Sequence, residues 1–410
     1  VGQVKRNGEQ FETHIEADHR GQVLQSGPDS GMFDAFARQR FSQPYTLFES
    51  MMRHSKRTDL WAEQLVGSGS VSFIAAESSA ELRTTTASGD TVIRRSRRYL
   101  PYQPGKSLLI FASFVGNAPT AGLVQEIGYF DGSNGIILRA SGTTLQLVIR
   151  SSASGSVQET VVNQASWNID TFDALNFAKA NIFVADLEWL GVGRVRAGFV
   201  VDGEIRYCHE FNHANSVDAV YMSSAILPVS YRIYNSSSIA SNAALTQICS
   251  TVISEGGYQP VGAIYLGGRG AGTFSAISSE TLVAAIRMAS GRTDNVIMPA
   301  QVDVSLGGNP ASNVVAEWRL RLNPTISGSW SAAANGRGNV EVMSSGTVSG
   351  GTIVGGGLVA SRSDVAFSPE NALALSLGRE VDGTSDVLAL TVQCSSSENA
   401  TGLLGWRELV

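Results

Sequence analysis

From about residue 70 the chain runs through eight short strand-like stretches in close succession: VSFIAA, AELRTTT, TVIRRSRRYL, KSLLIFASFVG, LVQEIGYFD, GIILRA, TLQLVIRSS and VQETVVNQ. Ser88-Gly89, Asp131-Gly132 and Ser154-Gly155 punctuate them, and such dipeptides supply the left-handed backbone that tight hairpins need. Short β-branched runs at this spacing, with no helical pattern between them, exclude an alternating α/β fold and require a sandwich or barrel. The composition agrees. Only 16% of residues are charged and 43 are glycine, which suits paired strands with large buried faces.

The chain of 410 residues is long enough for two or three cores. Residues 1–66 are the least strand-like and read as an extended N-terminal arm with little regular structure. Within it TDLWAEQL, Thr58–Leu65, reads as a short helix capped by Thr58 or Asp59. A concanavalin-like β-sandwich is expected over 67–258. A second β-sandwich is expected over 259–410, from runs such as NVIMPAQVDVSL, NVVAEWRLRL and DVLALTVQC. The fold class is all-β. The clearest local reading is the hairpin at Asp202-Gly203, between AGFVV and EIRYCHEF. In NIFVADLEWLG, Phe183, Leu187 and Trp189 share one strand face, and Asp186 and Glu188 share the other.

A net charge of −6 gives no general attraction to nucleic acid or to an anionic membrane. No apolar run is long enough for a membrane-spanning helix. The opening VGQVKRNGEQ is polar and does not read as a secretory signal. Cys208, Cys249 and Cys394 are odd in number and widely spaced, so neither a disulfide framework nor a zinc cluster follows.

His209-Glu210-Phe211-Asn212-His213 spells H-E-x-x-H, which on a helix binds zinc. Here it leaves a hairpin with period two. Residues four apart lie ~6 Å apart on a helix but ~13 Å apart on a strand, too far to share one zinc. Strict alternation places Ile205, Tyr207, His209 and Phe211 on one face and Glu204, Arg206, Cys208 and Glu210 on the other. Gly105-Lys106-Ser107 resembles the tail of a phosphate loop, but Leu100 stands where the first glycine belongs and a strand follows. Gly191-x-Gly193 is followed by Arg196, and Gly268-x-Gly270 by Thr273, where a dinucleotide fingerprint needs glycine; both read as bends or bulges. The run Arg94, Arg95, Arg97, Arg98 reads as a solvated face or as a match for acidic groups on a partner. No cofactor and no metal are expected.

Asp186 and Glu188 are the best paired carboxylates, ~7 Å apart on one strand face. DLEWLG resembles the catalytic strand of the laminarinase/lichenase glycosidases, whose pattern is E-x-D-x-E on a concanavalin-like sandwich. The resemblance implies that Glu188 takes the acid/base place and Asp186 the central place. Val184 stands at the nucleophile position, and valine cannot form a glycosyl intermediate. The resemblance therefore supports the fold and argues against the activity, leaving Asp186 and Glu188 as candidates for contact with a glycan or a protein partner.

Several stretches together resemble a family of tailed-bacteriophage virion proteins: QPYTLFES (43–50), YQPGKSLL (102–109), IGYFDGSNGI (127–136), VVNQASWNID (161–170), DLEWLGVGRVRAGFVVDGEI (186–205), ICSTVISEGG (248–257) and RLNPTISG (321–328). The resemblance implies a non-enzymatic structural component of the particle, tail- or fibre-associated and anchored through its N-terminal arm. It implies homo-oligomers, other virion proteins as partners and release from the host by lysis. A capsid decoration or head-fibre protein, and a host-glycan-binding module, are the alternatives.

Overall fold

Trp61 sets the start of the first sandwich. In the computed structural model its indole is 1% exposed, edge-on to Phe48 at 5.6 Å and to Tyr231 at 6.0 Å, and its Nε1 donates to Ser50 Oγ at 2.8 Å. The structure describes residues 41–410 except 271–274, 293, 308–313, 334–337, 361–363, 368–372 and 410, together with four short strands among residues 1–40. Tyr45–Met51 and Trp61–Val66 are strands, so the sandwich begins near residue 44 rather than 67. The helix expected over Thr58–Leu65 is instead an edge strand paired with Thr91–Ser96; burial of Trp61 overrides local helix propensity. Residues 1–43 form a compact unit of their own. Its described residues include two antiparallel strand pairs, Gln3–Arg6 with Glu9–Glu12 and Ile15–Ala17 with Val23–Gln25, where little regular structure was expected.

The first sandwich stacks two antiparallel sheets, as the concanavalin-like expectation requires. One has eight strands in the spatial order Glu204–Phe211, Val195–Val201, Ala180–Glu188, Ser107–Val115, Ala243–Ser254, Ser79–Thr84 and Ser70–Ile74, with Tyr45–Met51 also beside Ala243–Ser254. The 12-residue strand Ala243–Ser254 holds two partners along one edge: Ser79–Thr84 on its first half and Tyr45–Met51 on its second. The other sheet has seven strands: Gln158–Asn163, Thr144–Ser151, Gly135–Ser141, Leu123–Phe130, Val229–Asn235, Thr91–Ser96 and Trp61–Val66. Alternation puts Ile110, Phe114, Phe183 and Leu187 of the first sheet against Ile127, Tyr129, Leu138 and Ile233 of the second, all fully buried in one cluster. The last strand of this sandwich ends at Ser254, and Ile264 opens the next.

The second sandwich pairs a five-stranded sheet, built around Val296–Gly307 and Glu398–Leu409, with a six-stranded sheet around Thr281–Met288 and Val387–Cys394. Its core includes Trp318, Leu390, Leu404 and Trp406. Val296, Met298 and Leu373 belong instead to the first sandwich's cluster, so apolar packing is continuous between the two.

The arginine run forms the joint between them. It is neither a solvated face nor a match for another chain. Arg94 points into the first sandwich, where it is fully buried. There it lies over the Trp61 ring and bonds to Glu63, to Lys56 O and to Gln247 Oε1. Arg95 turns the other way, as alternation on a strand demands, and Arg97 and Arg98 follow just beyond the strand. Arg97 pairs with Asp386 at 2.5 Å and with Glu380 at 2.6 Å, both in the second sandwich. Arg95 donates to the carbonyls of Glu380 and Val381, and Arg98 donates to Leu373 O. Asp386 is itself held by Gly378 N and Asn323 Nδ2. Removing one partner of a buried pair leaves the other charge uncompensated, at a cost of about 3 kcal/mol. Arg97→Met is therefore expected to lower stability by that order and to split one thermal unfolding transition into two. A single transition with an unchanged midpoint would show that the pair does not couple the sandwiches.

On the outer face of the seven-stranded sheet, the fully buried Glu126 is met by Arg139 at 2.7 Å, Arg150 at 3.2 Å and Arg232 at 3.4 Å. Glu159 caps Arg139 and Arg150. The hydrogen bond from Arg139 is the main reason that the Glu159 carboxyl falls from 4.5 to about 2. A depressed folded pKa adds stability that is fully present above the unfolded value and lost as pH falls through the folded one. Glu159→Gln should thus be less stable than the parent above pH 4.5, and the difference should close between pH 4.5 and about 2, as read from urea midpoints across that range.

Candidate functional site

The outer face of the eight-stranded sheet carries the residues that the sequence singled out. Along Ala180–Glu188, Phe183, Ala185 and Leu187 enter the core. The alternation then turns Ile182, Val184, Asp186 and Glu188 outward. Trp189 follows, packed against the core with its Nε1 donating to Met222 O at 3.1 Å.

Asp186 is buried although it lies on the outer face. Arg196, its cross-strand neighbour, forms an ion pair with Oδ2. The Tyr207 hydroxyl donates to the same oxygen at 2.9 Å, and the Arg196 guanidinium lies 4.3 Å from the Tyr207 ring. Burial, reinforced by the Asp186 charge, pushes the Tyr207 phenol up to about 12. Burial lowers the Arg196 pKa, but the hydrogen bond and charge of Asp186 outweigh it and raise it overall. Glu188 is exposed and has a loose contact to Arg194 at 3.8 Å. The carboxylates thus share a face and a strand end, as expected, but in different states: one is locked, the other solvated. Val184 is buried opposite Phe111 and Gly198. The three positions that match E-x-D-x-E hold a valine, a buried ion-paired carboxylate and an exposed one.

His209, Glu210 and Phe211 lie on the strand Glu204–Phe211, as the period indicated, but Asn212 and His213 fall beyond its end, and the alternation within the strand is interrupted. The register slips between Ala197↔His209 and Gly198↔Tyr207, so Cys208 is the additional residue of a bulge. Tyr207 therefore reaches outward to Asp186, while Cys208 and Phe211 are core residues. The expected grouping of Tyr207 with His209 and Phe211 fails at this bulge. His209 Nδ1 accepts the Asn168 N–H at 3.1 Å. His213 stacks on Tyr221 at 4.1 Å, with Nδ1 at 2.7 Å from the Gly193 carbonyl; a carbonyl only accepts, so that nitrogen carries the proton. Burial lowers the pKa of both imidazoles.

The other motifs resolve into structure. Lys106 Nζ is held by Gln103 Oε1 and Gly257 O, and Ser107 Oγ by Glu255, so neither is free to cradle a phosphate. Gly193 sits where a Cβ would lie 2.3 Å from Glu188 O. Gly268, at φ +136°, presses against Gly402 O.

The sequence did not reveal a groove of about 660 Å³ on the same sheet face. Phe111, Ile182, Val200 and Met51 give it an apolar floor, with Glu49 and Arg57 at its polar margin. Five strands, most of them far apart in sequence, build it, so only their register could have exposed it. Ile182 lies in the groove, and Asp186 is ~13 Å further along the strand, so neither proposed contact residue lines it.

No protein-family model matches this sequence, and no curated protein does. Among solved structures, the chain is similar to a glycosyl hydrolase family protein from Mycobacterium fortuitum, at 12% identity over 51% of this chain and 99% of that one, with a TM-score of 0.37. It is similar to a protein of unknown function from Shewanella oneidensis, at 9% over 54% and 91%, TM-score 0.36. Peanut lectin matches at 12% over 52% and 98%, TM-score 0.32. Likenesses this weak assign no chemistry to the chain.

Purified protein is expected to carry no stoichiometric zinc, and EDTA to leave its melting temperature unchanged. One tightly bound zinc per chain lost on His209→Ala would contradict the strand geometry.

Proposed function

We propose that the chain is a non-enzymatic structural component of a tailed-bacteriophage particle, associated with the tail or its fibres and self-associating. The observation that carries the non-enzymatic half is the state of Asp186. Its carboxylate is held by Arg196 and Tyr207, beside a valine at the position where a retaining glycosidase needs its nucleophile. The particle assignment follows the virion-protein resemblance spread along the chain. It is supported by a body of two sandwiches joined through buried charge and by a separate N-terminal unit of residues 1–43, suited to anchoring on a neighbouring subunit.

The groove on the eight-stranded sheet favours a second reading, a receptor-recognition surface for host glycan. It combines an apolar floor containing Phe111 with polar groups at its margin, the pattern of a small-molecule site.

Gold-labelled antibody against the protein is expected to decorate the tail of intact particles in electron micrographs. Label confined to the head would move the protein to the capsid, and unlabelled particles would end the virion reading. On a host-glycan array, binding that disappears in Phe111→Ala would favour the second reading. Polysaccharide cleavage that disappears in Glu188→Gln would overturn the non-enzymatic one.

A further inference from the structure

We infer that the joint between the two sandwiches holds a small inorganic anion, a halide such as chloride, bound by Arg379 and Arg95. Arg379 is 1% exposed. Its Nε, Nη1 and Nη2 are all buried without a hydrogen-bond partner among the described residues. Its guanidinium lies 3.2 Å from the centroid of the Tyr99 ring. Arg95 approaches the same ring at 5.6 Å, and its Nε is likewise buried without a partner.

Two carboxylates whose charge reaches the forks, Asp294 for Arg379 and Asp382 for Arg95, are exposed, and the others nearby are committed elsewhere. Asp386 and Glu380 both pair with Arg97. Asp131 accepts the Tyr99 hydroxyl at 3.0 Å and the N–H groups of Ser133 and Asn134. Arg98 brings a further guanidinium to the same joint, bonded to the Leu373 carbonyl. The joint therefore gathers more buried cations than carboxylates in contact with them. Burial lowers the Arg379 pKa only to about 10, so the group stays charged at neutral pH. Stacking on an aromatic face compensates part of that charge, but it leaves the N–H donors of the fork unbonded. An uncompensated charge in such a place is among the costliest features a fold can keep. One anion within reach of both forks offsets one positive charge and accepts from the N–H groups that face it. Arg379, Arg95 and Tyr99 are each less than a tenth exposed; a site closed on these sides suits a monatomic ion better than a tetrahedral oxyanion.

The test uses the full chain at fixed ionic strength, with sodium gluconate replaced stepwise by sodium chloride. A ligand that binds only the folded state raises the melting temperature by about 3 °C at a hundred times its dissociation constant, for a body of this size. That saturable rise is expected for the parent, is matched by bromide and is lost in Arg379→Met. Crystals grown in bromide should show an anomalous peak between Arg95 and Arg379. This decides the question even if Arg379→Met does not fold. Equal melting temperatures in gluconate and chloride, a rise that sulfate reproduces, or bromide crystals without the peak would each overturn the proposal.

Discussion

A single strand with arginines on both faces holds this protein together. Thr91–Ser96 lies in the seven-stranded sheet between Val229–Asn235 and the edge strand Trp61–Val66, so its position is fixed by backbone pairing on both sides. Arg94 then closes one end of the first core, over Trp61 and against Glu63 and Gln247. Arg95, and Arg97 just beyond the strand, reach the loop of the second sandwich that carries Glu380 and Asp386. The geometry of a strand, with alternate residues on opposite faces, turns a run of like charges into two separate attachments. Spread over one face, the same run would repel itself.

The outer face of the eight-stranded sheet holds two carboxylates in different surroundings, Asp186 buried and Glu188 exposed. Asp186 is occupied by Arg196 and Tyr207, and the bulge at Cys208 is what brings Tyr207 outward to reach it. The groove lies instead further along the same strands, where Phe111, Ile182 and Val200 meet. The carboxylates and the groove belong to one surface but not to one site.

The all-β class, the two sandwiches and the Asp202-Gly203 hairpin were legible because alternation and turn dipeptides are local signals. The segment containing Trp61 was misread because a strand of six residues has too few alternations to outweigh an apparent helix cap. The role of the arginines was hidden for a different reason. The partners of Arg95, Arg97 and Arg98 in the joint lie 275 to 289 residues away in sequence, and no local pattern encodes such a distance. The bulge was equally silent: one additional residue reverses the facing of everything beyond it, and only the register with Val195–Val201 reveals it.

The strand Ala243–Ser254 has a consequence for how the protein is made. It lies between Ser107–Val115 on one side and two earlier strands on the other. During synthesis the segment around Tyr45 therefore waits, its edge unpaired, while some two hundred further residues emerge from the ribosome. Long-range pairing of this kind is slow and leaves strand edges open to other chains. Crowded polysomes, where neighbouring copies expose the same edge at once, are where exchange of the Tyr45–Met51 segment between chains would compete most strongly with folding.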